Sequence, residues 1–84
     1  MYDVFLEAHA ERDLKRLSAR EFRRITAAIR SLGQNPRPAG CRKIVGSESD
    51  WRIRVGEYRI IYEIDDAATA VRVMRVRHRR DAYR

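Results

Sequence analysis

Trp51-Arg52-Ile53-Arg54-Val55-Gly56-Glu57-Tyr58-Arg59-Ile60-Ile61-Tyr62-Glu63-Ile64 is the stretch that decides the fold. Trp51, Ile53 and Val55 alternate with Arg52 and Arg54, Gly56-Glu57 supplies a tight reversal, and Tyr58, Ile60, Tyr62 and Ile64 alternate with Arg59, Ile61 and Glu63. A period of two on both arms of a two-residue turn predicts a β-hairpin with one buried face and one open face. The apolar face is expected to pack on a hydrophobic layer. The other face brings Arg52, Arg54 and Arg59 together, with Glu63 on the same side and able to neutralise one of them.

Downstream, Asp65-Asp66-Ala67-Ala68 turns the chain again and residues 70–76 form the last strand. Its phase is ambiguous, because Val71 and Val73 fall on one face and Met74 and Val76 on the other. A strand buried on both sides, or a bulge, produces that pattern. Upstream, Ile44 and Val45 suggest a short strand before the polar turn at residues 46–50. Residues 35–40, NPRPAG, form a loop, since Pro36 and Pro38 block helix continuation.

Earlier still, the period changes from two to 3.6. Ala10, Leu14 and Leu17 mark one short amphipathic helix. Ser18 stands three residues before Glu21, the spacing of a capping box, and Phe22, Ile25, Ile29 and Leu32 mark a longer helix expected to stop at Gly33. Residues 2–6 are short, β-prone and expected to be a first strand. The predicted fold is α+β: a strand, a two-helix hairpin, then an antiparallel meander of three to four strands with the helices on one face. Eighty-four residues suffice for one domain, 1–84, burying about 60–65% of the unfolded surface.

Charge narrows the function. The net charge is +7, carried by 17 arginines against two lysines. Residues 71–84 hold six arginines and one acid, whereas residues 1–50 hold eight arginines, two lysines and seven acids. A crowd of planar, permanently charged forks at one end suits phosphate and base edges, so a nucleic-acid partner is expected. A GC-rich coding sequence would favour arginine over lysine generally, but it does not explain the crowding.

The lone Cys41 has no base nearby in sequence, His9 is read as structural, and no Cys/His spacing resembles a metal site. The amino-terminal residues lack a basic segment followed by an apolar run, so a soluble, cytoplasmic protein is expected. Without paired carboxylates or a glycine-rich phosphate loop, the candidate chemistry rests on Arg, His and Tyr, with no metal and no cofactor. The candidates are Arg52, Arg54 and Arg59 on the hairpin, then His78, Arg79 and Tyr83, with Arg77, Arg80 and Arg84 around them. His78 is a candidate proton acceptor or donor beside phosphate, and Tyr83 a platform for a base. This set suits cleavage of RNA through its own 2′-hydroxyl, where arginines stabilise charge on the phosphorus. It suits simple binding equally well.

The segments DLKRL (residues 13–17), NPRP (35–38), WRIRVGEYRIIYEI (51–64) and VRHRRDAYR (76–84) together resemble the toxins of the RelE/ParE superfamily, in its RelE branch. The resemblance spans nearly the whole chain, and the pairing of RVGxYRxxYxI with HRRDxYR is its specific part. It implies a toxin of a type II toxin–antitoxin system that cleaves mRNA in the ribosomal A site. It also implies a cognate antitoxin as partner, and operator DNA bound only through that antitoxin. Position by position, it implies phosphate and transition-state contact for Arg59, leaving-group or phosphate stabilisation for Arg79, and base stacking for Tyr83. Arg52 and Arg54 stand where the best-described branch has lysines. A guanidinium does not deprotonate at neutral pH, so either His78 takes the proton or the two arginines act only electrostatically. A ParE-like inhibitor of DNA gyrase, or a non-catalytic nucleic-acid-binding relative, would share the fold.

Overall fold

The structure is a computed structural model in which residues 1–81 are described. The elements run β1 (Asp3–Leu6), α1 (Ala8–Lys15), α2 (Ala19–Gln34), β2 (Arg42–Lys43), β3 (Asp50–Val55), β4 (Tyr58–Asp65) and β5 (Ala70–His78). They build one sheet in the order β1-β5-β4-β3-β2. The four later strands form the expected antiparallel meander, and β1 joins it parallel to β5, with Val4 opposite Val71. The most C-terminal of the described strands, β5, therefore sits inside the sheet.

Both helices cover one face of the sheet. Ala10 and Leu14 of α1, and Ile25, Ile29 and Leu32 of α2, meet Ile60, Tyr62, Ile64, Val71, Val73 and Val76 in one core. Trp51, Ile53 and Val55 lie against its margin, on the side expected from their alternation. Ser18 caps α2 by accepting the Glu21 N–H at 3.2 Å. Among the described residues, no helix is long and apolar enough to cross a membrane.

Three sequence expectations change in detail, and one open choice is resolved. Gly33 does not end α2, which runs on to Gln34. Its missing side chain instead admits β1, because a Cβ there would lie 3.0 Å from the Tyr2 carbonyl oxygen and 3.1 Å from Val4 Cγ2. Phe22, expected in the buried stripe, is 45% exposed. The short strand before the hairpin is Arg42–Lys43 rather than residues 44–45. Lys43 pairs with Trp51, after which the chain turns and leaves Val45 98% exposed. The odd phase of β5 is a bulge: Ile61 faces Arg75 and Tyr62 faces Val73, so Met74 is the extra residue.

Candidate nucleic-acid interface

The hairpin turn sets the first part of the surface. Gly56 takes φ +60°, so the turn needs glycine for its shape, and the Arg24 guanidinium packs against it, one Nη lying 2.6 Å from where a Cβ would stand. Beyond the turn the register is fixed: Arg54 stands opposite Arg59, and Arg59 opposite Arg77. One step along, Arg42 stands opposite Arg52. Strands about 4.8 Å apart thus line up three arginine positions across β3, β4 and β5. Glu63 does not neutralise this row, because it accepts from Arg72 at 2.8 Å instead.

Two adjoining clefts follow from that row. The first, of about 210 Å³, is lined by Gly40, Arg42, Arg52, Arg54 and Arg59. The second, of about 250 Å³, is lined by Arg54, Glu57, Tyr58, Arg59 and Arg79. Arg54 and Arg59 border both. Arg79 reaches the second cleft because its N–H donates to the Glu57 carbonyl at 2.7 Å, extending the β4–β5 pairing past the strand end. The same two residues form an ion pair, Nη1 to Oε2, at 3.4 Å. The structure therefore brings Arg52, Arg54, Arg59 and Arg79 together.

His78 stands elsewhere. Its ring meets Tyr58 edge-on, with centroids 5.2 Å apart, and its Nδ1 accepts the Arg80 N–H at 3.2 Å. In a neutral ring that contact leaves the proton on Nε2. His78 and Arg77 line a different depression, with Asp13, Arg75 and Asp81, and Tyr58 borders both that depression and the second arginine cleft. Arg77 donates from Nη2 to the Asp81 carbonyl at 3.0 Å, and Arg80 is exposed in the turn after β5. Tyr83 and Arg84 lie outside the described residues.

A wall of the first cleft comes from the proline loop. Tyr62, wholly buried, donates its hydroxyl to the Pro36 carbonyl at 2.8 Å. Burial, then the neighbouring Cys41 thiol, pushes the Tyr62 phenol well above the usual tyrosine range. Arg37 holds Asp66 with Nη2 to Oδ2 at 2.9 Å and lies over the Trp51 ring at 5.1 Å. Tyr2 donates to Asp66 at 2.6 Å as well. The Arg37 and Tyr2 hydrogen bonds hold the Asp66 carboxyl below its ordinary value, and Asp66 in turn raises Tyr2. The loop that ends at Gly40 is thus pinned to the sheet from two sides.

Sequence reasoning missed Arg42, Glu57, Tyr58 and Arg24 at this surface. The strand expected at residues 44–45 leaves Arg42 in a loop, and the sequence pattern marks Glu57 only as a turn residue. Arg24 carried no local signal at all.

A two-helix, arginine-faced sheet of this order can be compared with known proteins. The model of the family described as "ParE toxin of type II toxin-antitoxin system, parDE" matches residues 4–83. Toxin RelG of Mycobacterium tuberculosis is 37% identical over 87 residues, covering 99% of this chain and 97% of RelG. The chain belongs to the RelE/ParE toxin superfamily, in its RelE branch. Among solved structures, the RelBE2 toxin–antitoxin complex of M. tuberculosis matches with a TM-score of 0.82 at 29% identity, covering 92% of this chain and 96% of that one. The RelE–RelB complex of Pyrococcus horikoshii has the same fold, with a TM-score of 0.82 at 23% identity, covering 93% and 94%. The isolated RelE toxin of E. coli also shares the fold, with a TM-score of 0.80 at 19% identity, covering 93% and 84%. The chain is accordingly a toxin of the type II toxin–antitoxin class.

Proposed function

We propose that this RelE-branch toxin is an endoribonuclease that cuts mRNA in the ribosomal A site, acting in the cytoplasm as a single domain over 1–84. The observation that carries the reading is the pairing of Arg54 opposite Arg59, beside Arg52 and Arg42, along two adjoining clefts, the second of which Arg79 also lines. The scissile phosphate lies over Arg59, which borders both clefts. The 2′-oxygen of the preceding ribose attacks phosphorus in line with the departing 5′-oxygen. Arg59 and Arg79 take up the charge that builds on the phosphoryl oxygens, where fixed donors lower the barrier most. Arg52 and Arg54 act as fixed charges, since neither guanidinium gives up its proton. Tyr83 stacks on a substrate base, and Arg77, Arg80 and Arg84 hold flanking phosphates. No metal or cofactor is required for this route.

A cognate antitoxin is the expected partner, because the solved relatives named above include toxin–antitoxin complexes. Operator DNA is reached through that antitoxin. Its binding is expected to neutralise arginines and bury apolar surface.

Primer extension on mRNA bound to purified ribosomes tests the reading. Discrete cuts in the A-site codon, absent without ribosomes and absent with Arg59→Ala, are the expected result. The matching family model, described as a ParE toxin, favours a second reading as a gyrase inhibitor. Growth arrest with a DNA-damage response and no mRNA cuts would select that alternative.

A further inference from the structure

We infer that Glu57 is the proton acceptor for the attacking 2′-hydroxyl, a role that rests on the nuclease reading and assigns its missing base. The second cleft holds Arg54, Arg59, Arg79 and Tyr58, and Glu57 is the only carboxylate among its described lining residues. The arginines cannot accept a proton, and the Arg24 guanidinium packed on Gly56 adds a further cation at the same turn. His78 Nδ1 already accepts the Arg80 N–H, and its ring lies in the depression beyond Tyr58. An ionised carboxylate offers acceptor sites only, and that of Glu57 retains free lone pairs after one contact with Arg79 at 3.4 Å.

The position is fixed as well as suitable. Glu57 sits in the tight turn between β3 and β4, its carbonyl is held by the Arg79 N–H at 2.7 Å, and its side chain is 58% exposed toward incoming substrate. A phosphate drawn onto Arg59 and Arg79 competes with Glu57 for the Arg79 guanidinium and leaves the carboxylate beside the ribose. Glu57 takes the 2′-hydroxyl proton as the 2′-oxygen bonds to phosphorus. The P–O5′ bond breaks, and the 5′-oxygen leaves with its electron pair and takes a proton from water. Glu57 then returns its proton to solvent. The products are a 2′,3′-cyclic phosphate and a 5′-hydroxyl.

Single-turnover cleavage of ribosome-bound mRNA by purified Glu57→Gln, Glu57→Ala and Arg79→Ala toxins tests the assignment. Glu57→Gln is expected to slow cleavage at saturating toxin by about 100-fold or more, the size of general-base contributions, with the half-saturating concentration unchanged. Added acetate or formate is expected to restore cleavage to Glu57→Ala and not to Arg79→Ala. Wild-type rates in Glu57→Gln overturn the proposal and leave the nuclease reading intact. A loss that small carboxylates do not restore, or one expressed in half-saturation, assigns Glu57 to holding Arg79 and also overturns it. No cuts from the wild-type toxin remove the nuclease reading, and this inference falls with it.

Discussion

Strand β5 and the β3–β4 hairpin carry the same residue type in the same sheet and differ in what faces it. Arg72 is held by Glu63 at 2.8 Å, and Arg75 by Asp13 at 3.0 Å, with Asp13 also accepting the Val76 N–H at 2.8 Å. Arg52 and Arg54 have no carboxylate partner among the described residues. Two cations at strand spacing repel by about 1 kcal/mol in water and about 4 in a medium of intermediate polarity, so the charge of Arg52 and Arg54 stands open where that of Arg72 and Arg75 is cancelled. Charge count in a sequence therefore overstates the polyanion surface. What matters is which arginines the fold has already matched to acids.

Breaking each side of this contrast should have different signatures. The largest effect is expected for Arg59→Ala, which should lower single-turnover cleavage about 10²–10³-fold while cooperative unfolding persists. Wild-type cleavage by that variant would sink the role given to the hairpin. Next, Asp13→Ala should cost about 2 kcal/mol in chemical denaturation, since it strands the Val76 N–H and the Arg75 guanidinium at a mostly buried site. A neutral result there would mean that Arg75 is not structural.

Tyr62→Phe should cost about 1 kcal/mol by leaving the Pro36 carbonyl without its donor. It also tests linkage. The folded Tyr62 phenol titrates above its ordinary value of 10.0, so its contribution is complete below pH 10 and is lost as pH rises through the folded value. Alkaline unfolding of the wild type should steepen above pH 10, and the Phe variant should lack that component. Asp66 has the opposite sign: its lowered value makes the Arg37 contact effective above pH 3.8 and lost as pH falls through the folded value. Stability profiles of Asp66→Asn and wild type should converge on acidification. The smallest effect belongs to Arg72→Gln, about 0.5 kcal/mol or less, because that ion pair is solvated.

The hairpin was legible because its alternation spans fourteen residues and leaves one register that puts Trp51, Ile53, Val55, Ile60, Tyr62 and Ile64 on the core side. The cap at Ser18 was legible for the same local reason. Phe22 and Val45 were not, because burial depends on where the sheet ends, which no single segment encodes. The parallel docking of β1 on β5 and the role of Gly33 also required knowing which distant backbone arrives there. At the site, the arginine row followed from period two. Glu57 did not, since its meaning depends on Arg79 arriving 22 positions later in the chain, and Arg24 reaches the turn from a helix.

The place of β5 between β1 and β4 has a consequence for how the molecule comes into being. This strand fills an interior slot, so a chain that lacks residues 70–76 has β1 without a neighbour, and Val71, Val73 and Val76 missing from the core. Such a chain keeps only the β2–β4 part of the sheet over an incomplete core, and Arg79, placed by the continuation of β5, has no fixed position. Fragments released early should be inert and readily degraded. A copy truncated before Ala70 is therefore expected to be harmless to the cell that made it.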